Sequence, residues 1–471
     1  MSSNTDVFQF LYLVKRVMAK SIKQLFNRRS FLGLAGLSTS SFVMPTFLNG
    51  NKGDISLRVA QEPTPDYQTL REGEAYFDTN KIVISAYKSM RFYKKKELSY
   101  HYDQIRVYRM ECPDFKFGTD YSEYFRTLDH KKATLIFQGK MEPSLDNKFR
   151  YEDNDIKLGT VYCYWIGSAL GVPEGPLPVK ARDPEIWWPY ETVQKRVSEL
   201  HKNYPALVQV NQIGVTTNKR PLVSLKVGQG KRCIALVGAV HAGEAGPEII
   251  LYVLENLLKN HPDLLKKVSV VAIPSANPDM RERQVKGIPW YLRRNANLVD
   301  INRNFPANWG DVETTYGYST DDPQSNTYRG AFAESENETV AIIQFMKSHK
   351  PEVIFSYHCL ASIAGQTLAA SKDGLQSKSF VDRSNAVANT LWQGMANRDA
   401  AQEKVYYLCT AGSMPTWSYK ELNTPAFDIE APFEAVDLAQ CKTDQTDRAL
   451  LKKYQEMHLR GITAVLKSIA F

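Results

Sequence analysis

Cys233-Ile234-Ala235-Leu236-Val237-Gly238-Ala239-Val240-His241-Ala242-Gly243-Glu244 passes without a break from an apolar run into a short turn, and a helical apolar pattern at 247–259 follows. Such a run, closed by a turn and then a helix, reads as a buried strand of a sheet. The same alternation extends outward. Val193, Val197, Leu200 and His201 fall at helical spacing, and strand-like runs occupy 206–213, 221–227 and 232–240. Beyond 259 come a strand at 268–273, a helix at 334–348, a strand at 352–357, a helix at 379–397, a strand at 425–430 and a helix at 444–468. Strands separated by helices of that length predict a layered α/β sheet with helices on its faces, in which chemistry gathers at strand ends.

Upstream, the texture changes. Ile82-Val83-Ile84-Ser85-Ala86-Tyr87, Gln104-Ile105-Arg106-Val107-Tyr108, Ala133-Thr134-Leu135-Ile136-Phe137 and Thr160-Val161-Tyr162-Cys163-Tyr164-Trp165-Ile166 are short β-branched and aromatic runs between polar and turn-forming clusters. They predict a β-sandwich of about seven strands over 55–182. Its closing hairpin, with Tyr162-Cys163-Tyr164 and Gly175-Pro176-Leu177-Pro178-Val179, resembles a fibronectin type III-like module. Arg182-Asp183-Pro184-Glu185-Ile186-Trp187-Trp188-Pro189 marks the boundary to the α/β region, 185–471.

The first 50 residues read as an address. Asn27-Arg28-Arg29-Ser30-Phe31-Leu32 and a weakly apolar stretch to about Phe47 resemble a twin-arginine export signal. A basic, partly helical tail is the alternative. The stretch is too interrupted to span a membrane, so the expectation is a periplasmic or extracellular protein with no stable membrane insertion after signal removal. Up to residue 48 the basic side chains exceed the acidic ones by 5, which leaves only +3 of the total charge of +8 for the rest. That small excess argues against a nucleic-acid partner. The six cysteines, Cys112, Cys163, Cys233, Cys359, Cys409 and Cys441, form no C-x-x-C pair, so a structural zinc site of the usual spacing is not expected. Cys163 and Cys233 sit in apolar runs and read as core.

Candidate chemistry clusters at strand ends. The turn carrying His241 and Glu244 can aim an imidazole and a carboxylate at one point, with Ala242 and Gly243 letting the chain bend. His358 closes the run Val353-Ile354-Phe355-Ser356-Tyr357, and Phe427-Asp428-Ile429-Glu430 puts carboxylates on a late strand. Between them, Arg293 to Pro306 is dense in planar, multi-donor side chains suited to anions. A second His-x-x-Glu match, His349-Lys350-Pro351-Glu352, reads as a helix terminus.

Taken in order, Gly214 with Arg220-Pro221-Leu222, His241 with Glu244, Asn277-Pro278-Asp279, Arg293-x-Asn295-x-Asn297 leading into Asp300-Ile301-Asn302-Arg303-Asn304-Phe305, His358 and Glu430 resemble the zinc carboxypeptidase family over roughly 185–470. The motif style is closest to its murein peptide amidase and carboxypeptidase N/E-like branches. The resemblance implies a mixed sheet flanked by helices and one Zn2+ per chain held by His241, Glu244 and His358. It implies Glu430 as the general base, drawing a proton from the water that the metal activates and passing it to the leaving amine. Arg293 would stabilise the oxyanion, and Asn302 with Arg303 would hold the substrate's terminal carboxylate.

Two positions depart from the family pattern. The place of its mobile tyrosine falls on Leu408, with Tyr407 adjacent and Tyr406 one further, so either a one-residue shift makes Tyr407 a substrate-binding phenol or the role is missing. The side-chain pocket position falls on Pro415, which offers neither charge nor hydrogen bond and gives no support for basic-residue specificity. The leading expectation is an exported zinc metallocarboxypeptidase acting on peptides. The alternatives are a murein peptide amidase cutting the γ-D-glutamyl-diaminopimelate bond of a cell-wall peptide, a small-molecule amide deacylase, and an inactive binding protein. The intact His/Glu/His, Arg and Glu set argues against the last.

Overall fold

The computed structural model describes residues 70–88, 92–93, 96–97, 104–115, 121–169, 171–244, 246–311, 319–358, 367–395, 405–430 and 448–470. The export-signal segment, 1–50, lies outside the described residues, as do Cys359 and Cys441. Among the described residues no helix is long and apolar enough to cross a membrane.

Among the described residues, seven of the nine N-terminal strands, β1 (Leu70–Asp78), β2 (Lys81–Lys88), β3 (Ile105–Glu111), β4 (Thr134–Gly139), β5 (Lys148–Asp153), β6 (Val161–Ser168) and β7 (Glu174–Lys180), make two antiparallel sheets, ordered β1-β2-β5 and β4-β3-β6-β7, and the short strands Phe92–Tyr93 and Lys96–Glu97 pair with each other. Alternation decides which side chains meet. Ile82, Ile84 and Ala86 of β2 share one buried cluster with Tyr162, Tyr164 and Ile166 of β6. The intervening Val161, Cys163 and Trp165 of β6 fill a second cluster with Phe115 and Phe125. Strand β6 is therefore buried on both faces, which is why its sequence is continuously apolar rather than alternating.

Residues 190–469 supply α1 (Tyr190–Asn203), β8 (Val208–Val215), β9 (Pro221–Gly228), β10 (Arg232–Gly238), α2 (Pro247–Asn260), β11 (Val268–Ile273), α3 (Pro278–Val285), α4 (Asn337–His349), β12 (Ile354–His358), β13 (Thr367–Ser371), α5 (Lys378–Met395), β14 (Val405–Cys409), β15 (Ala426–Glu430) and α6 (Arg448–Ile469). The sheet order is β8-β9-β11-β10-β12-β15-β13-β14. Strands β11, β10, β12 and β15 run parallel, while β9 and β13 pair antiparallel to β11 and β15, so the sheet is mixed. Along β10, Ile234 and Leu236 enter a core built with α1, α2, α5 and α6. Cys233, Ala235 and Val237 enter the opposite core, built with α4 and the segment around Ile301 and Phe305. With helices on both faces, the middles of the central strands are mostly apolar. The second His-x-x-Glu match behaves as a helix terminus: His349 is the last residue of α4, its Nδ1 lies 2.9 Å from Phe345 O, and Lys350 beyond it is left-handed.

The N-terminal sheets and the α/β region belong to one compact unit, Gln68–Phe471. Backbone bonds cross between them, from Phe77 N to Lys286 O and from Lys180 N to Gly287 O, each 2.7 Å.

Candidate active site

Three adjacent parallel strands deliver the site. β10 ends in the turn with His241 and Glu244, its neighbour β12 ends at His358, and β15 ends at Glu430, which is in register with His358. All four side chains are almost fully buried, none more than 4% exposed. Carboxyl ends of parallel strands are where α/β sheets place ligands.

His241, Glu244 and His358 could hold a metal ion, since their donor atoms all lie within 4.8 Å of one another. His241 Nδ1 is 3.1 Å from His358 Nδ1 and 3.0 Å from Glu244 Oε1, and His358 Nδ1 is 2.8 Å from Glu244 Oε2. A tetrahedral zinc with bonds of about 2.0–2.1 Å needs donors about 3.3 Å apart, close to this triangle. The outward nitrogens are also placed for it. His241 Nε2 is 3.1 Å from Asp300 Oδ1, while His358 Nε2 lies 3.4 Å from Asp428 Oδ1 and 3.0 Å from Ser356 Oγ. A carboxylate on the outer nitrogen turns the imidazole and leaves Nδ1 as the inner donor, the arrangement a metal-binding histidine requires. The residues therefore fit a zinc ion.

Charge balance in this dry pocket follows from the pairs. Burial opposes ionisation of Glu244, yet His241 and His358 outweigh it and hold the carboxyl well below its usual range. Burial likewise opposes the Asp300 carboxylate, and Arg293 and His241 keep it charged. Burial disfavours the His358 imidazolium, but Glu244 and Asp428 raise its pKa well above the ordinary value. A set of like-signed acids that stays ionised around two imidazoles is a ready cation site.

The loop after α3 faces the triangle. Tyr291 OH donates to Glu244 Oε1 at 2.7 Å, with its ring on the backbone of Gly243, where a Cβ would stand 2.3 Å from Tyr291 Cδ2. Arg293 Nε donates to Asp300 Oδ2 at 2.7 Å. Both polar atoms of the Asn302 side chain are held by the protein: Nδ2 donates to Asp428 Oδ2 at 2.8 Å, and Oδ1 accepts Met414 N at 2.9 Å. Arg303 Nη1 donates to the Asn302 carbonyl at 2.7 Å, and its side chain is nearly buried. The anions that the donor-rich loop was built to meet are in part the protein's own: Asn295 Nδ2 reaches Glu336 Oε2 and Glu338 Oε2 at 2.7 and 3.2 Å, and Asn297 Nδ2 reaches Glu336 Oε2 at 2.8 Å.

The structure thus brings His241, Glu244, His358, Glu430, Arg293, Asn302 and Arg303 to one end of the sheet. It does not bring Tyr407 there: its hydroxyl donates to Asn385 of α5 at 3.2 Å. Leu408 offers no phenol, and Pro415 is buried in the short helix Met414–Trp417. Cys409 is buried with Sγ 3.7 Å from Asp428 Oδ2, a packing position. Sequence reasoning missed Tyr291 as a site residue, and no local pattern marked it. Asp428 carried a usable signal, standing two residues before Glu430 on the same strand and hence on the same face.

The zinc carboxypeptidase family profile matches residues 193–450, more than half of the chain, and the chain belongs to that family. Human mast cell carboxypeptidase A is 28% identical over 181 residues, covering 35% of this chain and 42% of that protein. Mouse carboxypeptidase A4 is 26% identical over 270 residues, covering 51% and 61%. The chain spans about half the length of these curated relatives. Among solved structures, carboxypeptidase A from Helicoverpa armigera aligns with a TM-score of 0.49 and 17% identity over 79% of this chain and 99% of its own.

Proposed function

We propose that this chain is a zinc-dependent metallocarboxypeptidase that removes C-terminal residues from peptides, exported through the twin-arginine type signal at 1–50 to the periplasm or beyond. The observation that carries the reading is the His241–Glu244–His358 triangle, with each outer ring nitrogen facing a carboxylate and Glu430 in register beside it. Zinc, when bound there, supplies the Lewis acidity that polarises a scissile carbonyl and acidifies water. Glu430 takes the proton of the attacking water and hands it to the departing amine. Arg293, kept cationic by Asp300, balances the charge that grows on the carbonyl oxygen. Arg303 reads the substrate's free carboxylate through its guanidinium fork, which is oriented by the bond from Nη1 to the Asn302 carbonyl. The N-terminal sheets lie within residues 55–182, a region read as a β-sandwich of fibronectin type III-like kind.

Mass spectrometry of peptides incubated with the purified chain tests this. Paired peptides with free and amidated C-termini, plus a cell-wall tripeptide, form the panel. Stepwise loss of C-terminal residues from the free peptides alone is the expected result. Cleavage confined to the tripeptide would transfer the assignment to a murein amidase, and equal cleavage of amidated peptides would refute carboxypeptidase action.

A further inference from the structure

The segment that links α3 to Tyr291 is held from outside the α/β sheet. Arg182, at the end of the N-terminal sheets, donates through Nε to Gln284 O at 2.6 Å and through Nη2 to Ile288 O at 2.8 Å. Phe77 N and Lys180 N take the carbonyls of Lys286 and Gly287 that lie between them. Gly287 has φ +104°, and a Cβ there would stand 2.6 Å from Val179 Cγ2 and 2.8 Å from Lys180 O, so glycine lets this backbone seat directly on β7. Next along the chain, Trp290 packs into the cluster of Phe125, Cys163 and Trp165. From the inner side, the Gln284 amide spans the whole stretch, donating to Ile288 O and Trp290 O at 2.8 and 2.9 Å and accepting Leu292 N at 2.9 Å.

A segment fixed on both sides can deliver a side chain with little freedom, and the side chain delivered is Tyr291. We infer that Tyr291 is a positioning residue for Glu244: its hydroxyl fixes one carboxylate oxygen, so the ligand is oriented from the N-terminal sheets inward. This rests on the reading of Glu244 as a zinc ligand. The geometry is direct. Glu244 Oε1 accepts the phenol at 2.7 Å while Oε2 faces His358 Nδ1 at 2.8 Å, so the two oxygens have different partners and the carboxylate has one preferred rotation. Removing the hydroxyl frees that rotation without touching the ring that lies on Gly243. Hydrogen-bond partners that orient a metal ligand typically govern affinity by about 10–100-fold. The inference also gives the N-terminal sheets a part in the site: they are the outer wall of the clamp that sets Tyr291.

The test is Tyr291→Phe in the full chain, with zinc affinity measured by chelator competition, the visible absorption of the cobalt-substituted protein, and the Tm. The expected result is zinc binding about 10–100-fold weaker and an altered cobalt spectrum, with the Tm of the metal-free chain lowered by no more than the loss of one hydrogen bond. Wild-type affinity with a wild-type spectrum overturns the inference. A lowered Tm with an unchanged spectrum also overturns it, assigning Tyr291 to packing alone. A wild-type chain that binds neither zinc nor cobalt overturns the underlying ligand reading instead, so the two failures are distinguishable.

Discussion

Glu430 and His358 are register partners at the carboxyl ends of two adjacent parallel strands, and two residues back along the same strands Asp428 pairs with Ser356. Because side chains alternate along a strand, all four project from one face of the sheet. The imidazole lies over the inner pair, within 3.0 Å of Ser356 Oγ and 3.4 Å of Asp428 Oδ1, and its other nitrogen points to Glu244. On the proposed function, one strand would provide both a group that orients a metal ligand, Asp428, and the general base, Glu430. This division is open to separate tests.

Glu430→Gln keeps shape and removes the proton acceptor. Turnover of a peptide with a free C-terminus is expected to fall by about 10²–10⁴-fold. Zinc content should stay at one per chain, because Glu430 is outside the ligand triangle. Near-wild-type turnover would remove Glu430 from the reaction.

Asp428→Ala should act on the other half. It strands Asn302 Nδ2 and deprives His358 Nε2 of its carboxylate. The expected costs are about 1–3 kcal/mol of stability for each buried group left unsatisfied and a zinc affinity about 10–100-fold weaker. Denaturant unfolding and chelator competition measure the two effects. Unchanged values for both would show that Asp428 is dispensable.

Arg303→Ala should discriminate between substrates. A guanidinium–carboxylate contact contributes about 1.5–3 kcal/mol, so kcat/KM for a free C-terminus should drop by about 10–100-fold. Any residual cleavage of the amidated peptide should be little affected. Equal losses on the two would argue against carboxylate recognition.

Glu338 ties stability to pH. It lies fully buried in the first turn of α4, with Oε2 accepting from Asn295, and burial pushes its carboxyl up from 4.5 to about 7. An acid whose folded pKa is raised holds its proton more tightly when folded. Its stabilising contribution is full below about 4.5 and is lost as pH rises through 7, amounting to about 3 kcal/mol across that window. Glu338→Gln cannot titrate. The wild-type stability minus that of the variant should therefore fall by about this amount between pH 4.5 and 8 in denaturant titrations. A constant difference would contradict the assignment.

The parts of the structure legible in the chain were those that repeat or that lie next to each other. The Cys233–Val240 run is apolar on both faces because helices cover both, and that pattern marks a central strand without further information. His241 and Glu244 share one turn, so their convergence was visible locally. Strands β13 and β14 went unforeseen, since each spans five residues and Val405-Tyr406-Tyr407-Leu408 lies only partly buried at the sheet edge. Tyr291 was invisible for a different reason. It stands 47 positions from Glu244, and its direction is set by Gly287 seating on β7, a contact between segments with no local signature.

The proposed function stands or falls on whether His241, Glu244 and His358 hold one zinc ion on which peptide cleavage depends. Metal analysis of the purified chain, paired with cleavage of a free C-terminal peptide before chelation, after chelation and after zinc is returned, tests it most directly. The expected result is one zinc per chain, loss of activity with the metal and recovery when zinc is restored. Full cleavage by a metal-free chain, or bound zinc that His358→Ala leaves in place, would contradict it.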